Sequence, residues 1–168
     1  MSSIAVTPLW DFAIALYAEP GVADYCLQMQ DEQGMDVNLL LFAAWLGVSG
    51  VSLTDERLEQ AIAAGCSWRI SVITPLRQAR RWIKTEAANR ADWQSCRAAI
   101  KAAELEAEKV ALNQLQSLAE NWSGASGNAA HHNIEGYLQA VGLSQQQREA
   151  GVDLVQRALC RLLQNSGD

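Results

Sequence analysis

Apolar residues recur at intervals of three and four along most of the chain. The first such stripe is Leu9, Phe12, Ala13, Leu16 and Tyr17, and the last is Val152, Val155, Ala158, Leu159 and Leu162. This spacing puts apolar side chains on one face of an α-helix, and Gly, Pro, Ser, Thr and Asp stand between the stripes, where helices begin and end. The pattern predicts an all-α fold, a compact bundle of six to eight helices, with residues 1–164 in one domain and 165–168 as a frayed tail.

The stretch "DVNLLLFAAWLG" predicts the central helix of this bundle, at residues 37–46. Asp36 is expected to cap the helix at its positive end, and Gly47 to end it. Apolar residues occupy all sides, so other helices should surround it. Asn38, in the first turn, is expected to satisfy backbone groups or reach a neighbouring helix rather than bind a ligand. The run of ten residues is too short for a bilayer, which needs about 20, and the sequence predicts a soluble cytoplasmic protein.

Residues 75–121 are expected to form a helical hairpin. The interior of this stretch has no glycine or proline, and one continuous helix from Pro75 would extend about 72 Å. A compact domain of this size has a radius of gyration of about 15 Å. We therefore predict that the chain turns back at 88–92, with Asn89 and Asp92 as candidate caps.

The segment before the hairpin is also expected to be helical. Thr54 is followed by an acidic first turn, which is typical of a helix start. Gly65 is expected to end this helix near residue 64. The following "CSWRISVI" contains β-branched residues, but a short helix fits better than a strand with no partner.

Charge is strongly segregated along the chain, although its formal net value is only −6. Residues 1–68 hold nine acids and one base, whereas residues 69–101 hold eight bases and two acids. Folding the hairpin about residue 90 places Glu104 opposite Arg77 and Glu108 opposite 69–72. The sequence therefore predicts ion pairs that join the two helices.

A basic face is expected nearer the turn of the hairpin. Its candidate binding residues are Arg77, Arg80, Arg81, Lys84, Arg97 and Lys101. Either the acidic N-terminal third covers this face, which would make it structural, or the face binds an acidic protein or a small anionic ligand. A nucleic-acid partner is not expected, because the pI of about 4.9 is far from the basic footprint of such proteins.

The sequence lacks the phosphate-binding, nucleophile-elbow and zinc-protease motifs that indicate common enzyme classes. No metal site or cofactor is expected, because the four cysteines are scattered and the Glu-x-x-His pattern of helical di-metal sites is missing. We expect a binding protein rather than an enzyme. The alternative is an enzyme that holds an anionic substrate in an aromatic and basic pocket. Its candidate residues are Trp10, Trp45, Trp68, Arg69 and Arg77.

Four blocks of the sequence resemble a proteobacterial family of small cytoplasmic proteins of uncharacterised function. The blocks are "LWDFAIALYAEPGV", "DVNLLLFAAWLG", "WRISVITPLRQARRWIK" and "IKAAELEAE". The resemblance covers nearly the whole chain, and the order and spacing of the four blocks make it specific. The resemblance implies a bacterial cytoplasmic source, and it implies no activity and no catalytic residues.

Overall fold

The computed structural model describes residues 7–86, 90–124 and 127–165, and these residues form helices and connecting loops without a strand. The helices are α1 (Leu9–Tyr17), α2 (Val22–Gln33), α3 (Val37–Val48), α4 (Asp55–Trp68), a π-helical segment (Arg69–Ile73), α5 (Thr74–Glu86), α6 (Ala91–Leu118), α7 (Ala129–Val141) and α8 (Gln145–Asn165). The all-α prediction is confirmed. Asn165, expected in a frayed tail, is the last residue of α8.

Helix α3 lies at the centre of the main core, as predicted. Its eight residues 39–46 are all buried, and α1, α6 and α7 pack around it. The Asp36 side chain accepts a hydrogen bond from the backbone N–H of Asn38 at 3.0 Å, so the expected cap is present. Apolar burial on every side of one helix therefore organises the bundle.

Gly47 does not end α3, which continues to Val48. A Cβ atom at Gly47 would lie 2.2 Å from the Ala130 Cα atom. The glycine therefore allows α7 to approach α3 closely, and the prediction of a helix stop was wrong because this glycine serves helix packing.

A buried asparagine fastens α7 to the loop that follows α3. Asn133 is 2% exposed. Its Oδ1 atom accepts the N–H of Leu53 at 2.7 Å, and its Nδ2 atom donates to the carbonyls of Val51 and Ala43. All three contacts are to backbone groups, so this one side chain ties α7 both to α3 and to the loop that follows it.

Helix α4 runs through Gly65 and joins α5 through the π-helical segment without a break. The prediction that Gly65 ends the helix was wrong, because Gly65 does not adopt the positive φ of a helix-ending glycine. The buried residues Ala61 and Ile73, on either side of Gly65, keep this long helix packed against α6. Thr54 caps α4 through the N–H of Arg57, as expected.

The π-helical segment lies directly before a proline. In a regular α-helix the Pro75 ring would clash with the carbonyl of Ser71, four residues earlier, and Pro75 has no N–H to donate. Here the N–H of Thr74 instead bonds the carbonyl of Arg69, five residues back. This wider turn lets the helix continue through the proline into the hairpin.

Helices α5 and α6 form the predicted antiparallel hairpin, and α6 ends at Leu118. Asn89 lies outside the described residues. Asp92 is not the cap, because Arg90 occupies the cap position without a side-chain cap bond. A small second core at the base of the hairpin contains Ile73, Ala107 and Ala111.

The far end of the hairpin lies away from the main core. In the described residues, the main core has no member between Ala61 and Leu112. We call residues 82–86 and 90–101 the hairpin tip. Among the described residues of the tip, a single apolar side chain is buried, that of Ile83, with 8% exposure. The tip therefore contributes little to the packing of the bundle.

Candidate functional site

Two arginines of α5 and two glutamates of α6 form an ion-pair cluster between the hairpin helices. Arg77 donates to Glu104 at 3.0 Å and to Glu108 at 2.8 Å. Arg80 also binds Glu104, through both Nε and Nη2. The predicted pairing of Glu104 with Arg77 is confirmed, and the charge partner of Glu108 is Arg77 rather than a residue in 69–72.

Among the described residues, Glu104 is the one charged residue that is buried, with 6% exposure. Burial by itself would raise its pKa, but hydrogen bonds and charge from Arg80 and Arg77 outweigh that effect and lower it. The balance is opposite at Glu108, where burial raises the pKa despite the contact with Arg77. The two glutamates therefore differ in how well their negative charge is compensated.

Acidic residues from the N-terminal third reach the basic hairpin at two points. Arg81 pairs with Asp31 of α2, and both side chains are about half exposed. Arg69 lies 3.5 Å from the Asp36 carboxylate and donates to the carbonyl of Gly34 at 2.9 Å. The N-terminal third therefore covers the start of the basic face but not its far end.

Three predicted members of the basic face lie in the hairpin tip. Within residues 7–86, 90–124 and 127–165, Lys84, Arg97 and Lys101 form no ion pair. Among the same residues, the buried Nε atom of Arg97 finds no hydrogen-bond partner. The described chain therefore leaves the charge of these three side chains without a counter-ion, in contrast to that of Arg77 and Arg80.

Two tryptophans stack at the same end of the hairpin. The rings of Trp82 and Trp93 are 5.8 Å apart and 25° from parallel, and the guanidinium of Arg90 lies 4.5 Å from the centre of the Trp93 ring. Trp82 remains 57% exposed. A tryptophan pair that is this accessible is unusual on a monomer surface, and tryptophan and arginine are enriched where proteins bind one another.

The aromatic pocket proposed from the sequence is not assembled around its tryptophans. Trp45 stacks on Phe42 in the main core and donates to the carbonyl of Thr7. Trp68 donates to the carbonyl of Ala107 at 2.8 Å, and Trp10 lies under the ammonium group of Lys109. Each indole is therefore used in helix packing.

The two arginines of that predicted pocket do line a cleft, but a polar one. Arg69 and Arg77 lie with Arg81 and Gln78 in a cleft of about 230 Å³ between α2 and α5. No tryptophan lines it. The sequence thus identified arginines that come together, but joined them with aromatic residues that lie elsewhere.

Sequence reasoning missed the tryptophan pair of the hairpin tip, although both residues flank the predicted turn. Counting back from residue 90 pairs 82 with about 98 and 93 with about 87. Their contact depends on the reach of two long side chains near a turn, which residue spacing alone does not give. The available signal was two tryptophans in a segment rich in charged and polar residues.

The part of the chain that the structure describes brings together no group of three or more metal-binding side chains. None of its helices is both long and apolar enough to cross a bilayer.

Residues 8–115 match the family described as "Protein of unknown function (DUF2390)". The match covers well over half of the chain, and the protein belongs to this family. It extends from the start of α1 to near the end of α6, and thus includes the hairpin except for the last three residues of α6. No curated protein and no solved structure matches the chain.

Proposed function

We propose that this chain is a binding protein whose hairpin tip docks an acidic segment of another protein. The observation that carries the proposal is the combination of uncompensated positive charge with an exposed tryptophan pair. Lys84, Arg97 and Lys101 supply the charge, and Trp82 and Trp93 supply the aromatic surface.

Charge complementarity argues for an acidic partner. The described part of the tip contains Lys84, Arg90, Arg97 and Lys101, against the acids Glu86 and Asp92, so its net charge is positive. The remainder of the chain is acidic, since the whole protein has a net charge of −6. An acidic segment would be attracted to the tip and repelled elsewhere, which gives orientation and a fast encounter.

The tryptophan pair supports a protein partner over a free small anion. Exposed indoles bury large apolar areas when covered, and interface hot spots are enriched in tryptophan and arginine. A small anion would leave the Trp82 ring in water. We therefore favour a peptide segment that carries acidic residues next to an apolar or aromatic one.

The proposal narrows the basic face that the sequence predicted. Arg77 and Arg80 are held by Glu104 and Glu108, so we assign them to hairpin stability. The weakly held pair of Arg81 and Asp31 lies at the border of the face. We further infer a bacterial, cytoplasmic protein, because of the sequence resemblance to such a family and the lack of a long apolar segment.

A binding comparison between paired variants tests the proposal. The tagged protein captures its partner from a lysate of its source organism, and the partner is then purified and titrated against each variant. We expect the double variant Lys84→Ala/Lys101→Ala, and separately Trp82→Ala, to weaken binding about tenfold or more, as hot-spot truncations do. Raising the salt concentration should weaken wild-type binding more than that of the double variant.

Controls come from exposed residues far from the hairpin. Arg157→Ala removes an exposed cation of α8, and Leu163→Ala removes an apolar side chain that is 49% exposed. Both should bind like wild type. A partner that binds the folded tip variants and both controls equally well would refute the assignment of the tip.

A further inference from the structure

A small cavity opens between α3, α4, the π-helical segment and α6. It measures about 90 Å³. Its inner wall is formed by Leu39, Ala61, Ile73, Ala111 and Leu115, all buried. Ile62 and Ile70 stand at its mouth and are 43% and 64% exposed. The walls are thus apolar, and two large aliphatic side chains remain in water at the entrance.

One end of the cavity is polar and electrically balanced. It is lined by Asp36, Asn38 and Arg69. The Asp36 carboxylate lies 3.5 Å from Arg69, which is longer than a direct charged hydrogen bond. Within the described chain, the Asn38 side-chain amide makes no hydrogen bond, and the contact of Asn38 with Asp36 uses its backbone N–H. This end of the cavity therefore offers the Arg69 guanidinium as a donor, the Asp36 carboxylate as an acceptor and the Asn38 amide as both.

The cavity is bordered by a glycine in the interior of a helix. Gly65 lies in α4, where glycine is less favourable than alanine. Neither positive φ nor close packing requires it, since a Cβ atom there would meet nothing within 4 Å. The π-helical segment starts four residues later, and such segments occur frequently at functional sites. The missing side chain of Gly65 leaves space open beside the apolar wall.

We propose that this cavity binds a small molecule that joins a short branched aliphatic group to a head that both donates and accepts hydrogen bonds. The volume exceeds the roughly 30 Å³ share of one water and is well below the roughly 150 Å³ of a cavity that takes benzene. It therefore suits an isopropyl or isobutyl group rather than an aromatic ring. This site and its ligand class are independent of the hairpin tip and of the partner proposed for it.

The polar end favours an uncharged amide head over a charged one. Asp36 and Arg69 compensate each other, so a net anion would meet the carboxylate and a net cation would meet the guanidinium. A primary carboxamide can donate to Asp36 or to the Asn38 oxygen, and it can accept from Arg69 or from the Asn38 amide. Its hydrogen-bonding groups match those at this end of the cavity without a change in net charge.

Three probes that share an isopropyl group and differ in the charge of the head test this chemistry: isobutyramide, isobutyrate and isobutylammonium. Titration is followed by the NMR shifts of the δ-methyl groups of Ile62, Ile70 and Ile73, in the full-length protein. We expect saturable shifts with isobutyramide and about tenfold weaker binding of both charged probes, as expected when a polar pairing is lost. No saturation with isobutyramide, or equal binding of all three probes, would overturn the proposal.

A pair of glycine variants locates the site. Gly65→Leu places a side chain beside the cavity, and Gly136→Leu makes the same change at a helical glycine of α7 that also has nothing within 4 Å of its Cβ position. Isobutyramide binding should be lost in Gly65→Leu and retained in Gly136→Leu. A folded Gly65→Leu protein that still binds isobutyramide with wild-type affinity would refute the location.

A second pair covers the case in which Gly65→Leu does not fold. Asn38→Ala keeps the backbone N–H that Asp36 caps, and it removes only the amide at the polar end. It should reduce the affinity for isobutyramide about fivefold, the loss of one net hydrogen bond. Asn113→Ala, at an exposed position of α6, is the control and should leave this affinity unchanged. An unchanged amide affinity in Asn38→Ala would remove the polar end from the proposal.

Discussion

The main core and the hairpin are both made of helices, but different forces hold them. Around α3, apolar side chains pack on all sides. The Phe42 ring is fully buried, stacks on Trp45 and lies tilted against Trp122. Between α5 and α6, a small apolar core is extended by Arg77 and Arg80, which share Glu104. Apolar burial supplies free energy without fixing direction, whereas charged hydrogen bonds fix which residues meet.

This difference separates stability from recognition in the molecule. Removing buried atoms from the core lowers the free energy of unfolding, because the closely packed neighbours cannot move far enough to fill the cavity that remains. In the hairpin, the positive charges at the base form ion pairs with Glu104 and Glu108, whereas three positive charges at the tip have no ion pair among the described residues. We therefore expect substitutions to have smaller effects on stability from the core outward, and larger effects on binding toward the tip.

The largest effect is expected in the core. Phe42→Ala removes a fully buried ring and should lower the free energy of unfolding by about 4 kcal/mol, through lost apolar burial and the cavity that remains. Urea denaturation followed by circular dichroism measures it. A loss below about 1 kcal/mol would mean that α3 is not the centre of the fold.

A moderate and asymmetric effect is expected in the ion-pair cluster. Glu104→Gln keeps the shape of the side chain but removes the charge that Arg77 and Arg80 share, and should destabilise the protein by about 2 kcal/mol at neutral pH. Glu108→Gln should have little effect, because burial already disfavours its charge and raises its pKa. Equal losses in the two variants, measured by denaturant titration, would contradict the difference drawn between them.

Acid titration sharpens the same comparison, because the two pKa values move in opposite directions. The pKa of Glu104 is lowered, so its stabilising contribution is present above pH 4.5 and is lost as the pH falls through the folded-state pKa. The pKa of Glu108 is raised, so the folded state gains stability from this residue as the pH falls from neutral toward 4.5. The loss of unfolding free energy in Glu104→Gln, relative to wild type, should therefore become smaller in acid. The unfolding free energy of Glu108→Gln should instead fall further below that of wild type as the pH is lowered from neutral toward 4.5. Urea titrations at a series of pH values test both signs.

The smallest effect on stability is expected at the border of the hairpin tip. Arg81→Ala breaks the half-exposed pair with Asp31 and should change the free energy of unfolding by less than about 1 kcal/mol. Thermal melts at low and high salt measure it, and the small loss should diminish at high salt. A loss as large as that of Glu104→Gln would place Arg81 with the structural cluster.

Sequence periodicity was sufficient for the helices and for the hairpin, because each depends on local spacing and chain length. The pairing of Glu104 with Arg77 also followed from counting residues about the turn. Gly47 and Gly65 were misinterpreted as helix ends. A helical glycine can end a helix, admit a neighbouring helix or leave a space, and only the tertiary structure separates these three roles.

The candidate site was less predictable than the fold. The charge map located the basic segment of the chain, but it could not show which cations find acids, because this depends on the approach of α2 to α5. The tryptophan pair depends on the reach of two side chains across a turn, and the cavity beside Gly65 depends on segments far apart in sequence. Residue spacing within one helix contains no information on such contacts.

The close packing of α3 against α7 has a consequence for how the protein is made. The helix with eight consecutive buried residues is synthesised early, but Ala130, which fits against Gly47, and α8, which packs on α1 and α2, follow more than 80 residues later. During translation, the most apolar segment of the chain therefore emerges from the ribosome after α1 but before α6 and α7 exist. Its full burial requires the last third of the chain, so we expect the nascent protein to expose an apolar segment of the kind that chaperones recognise.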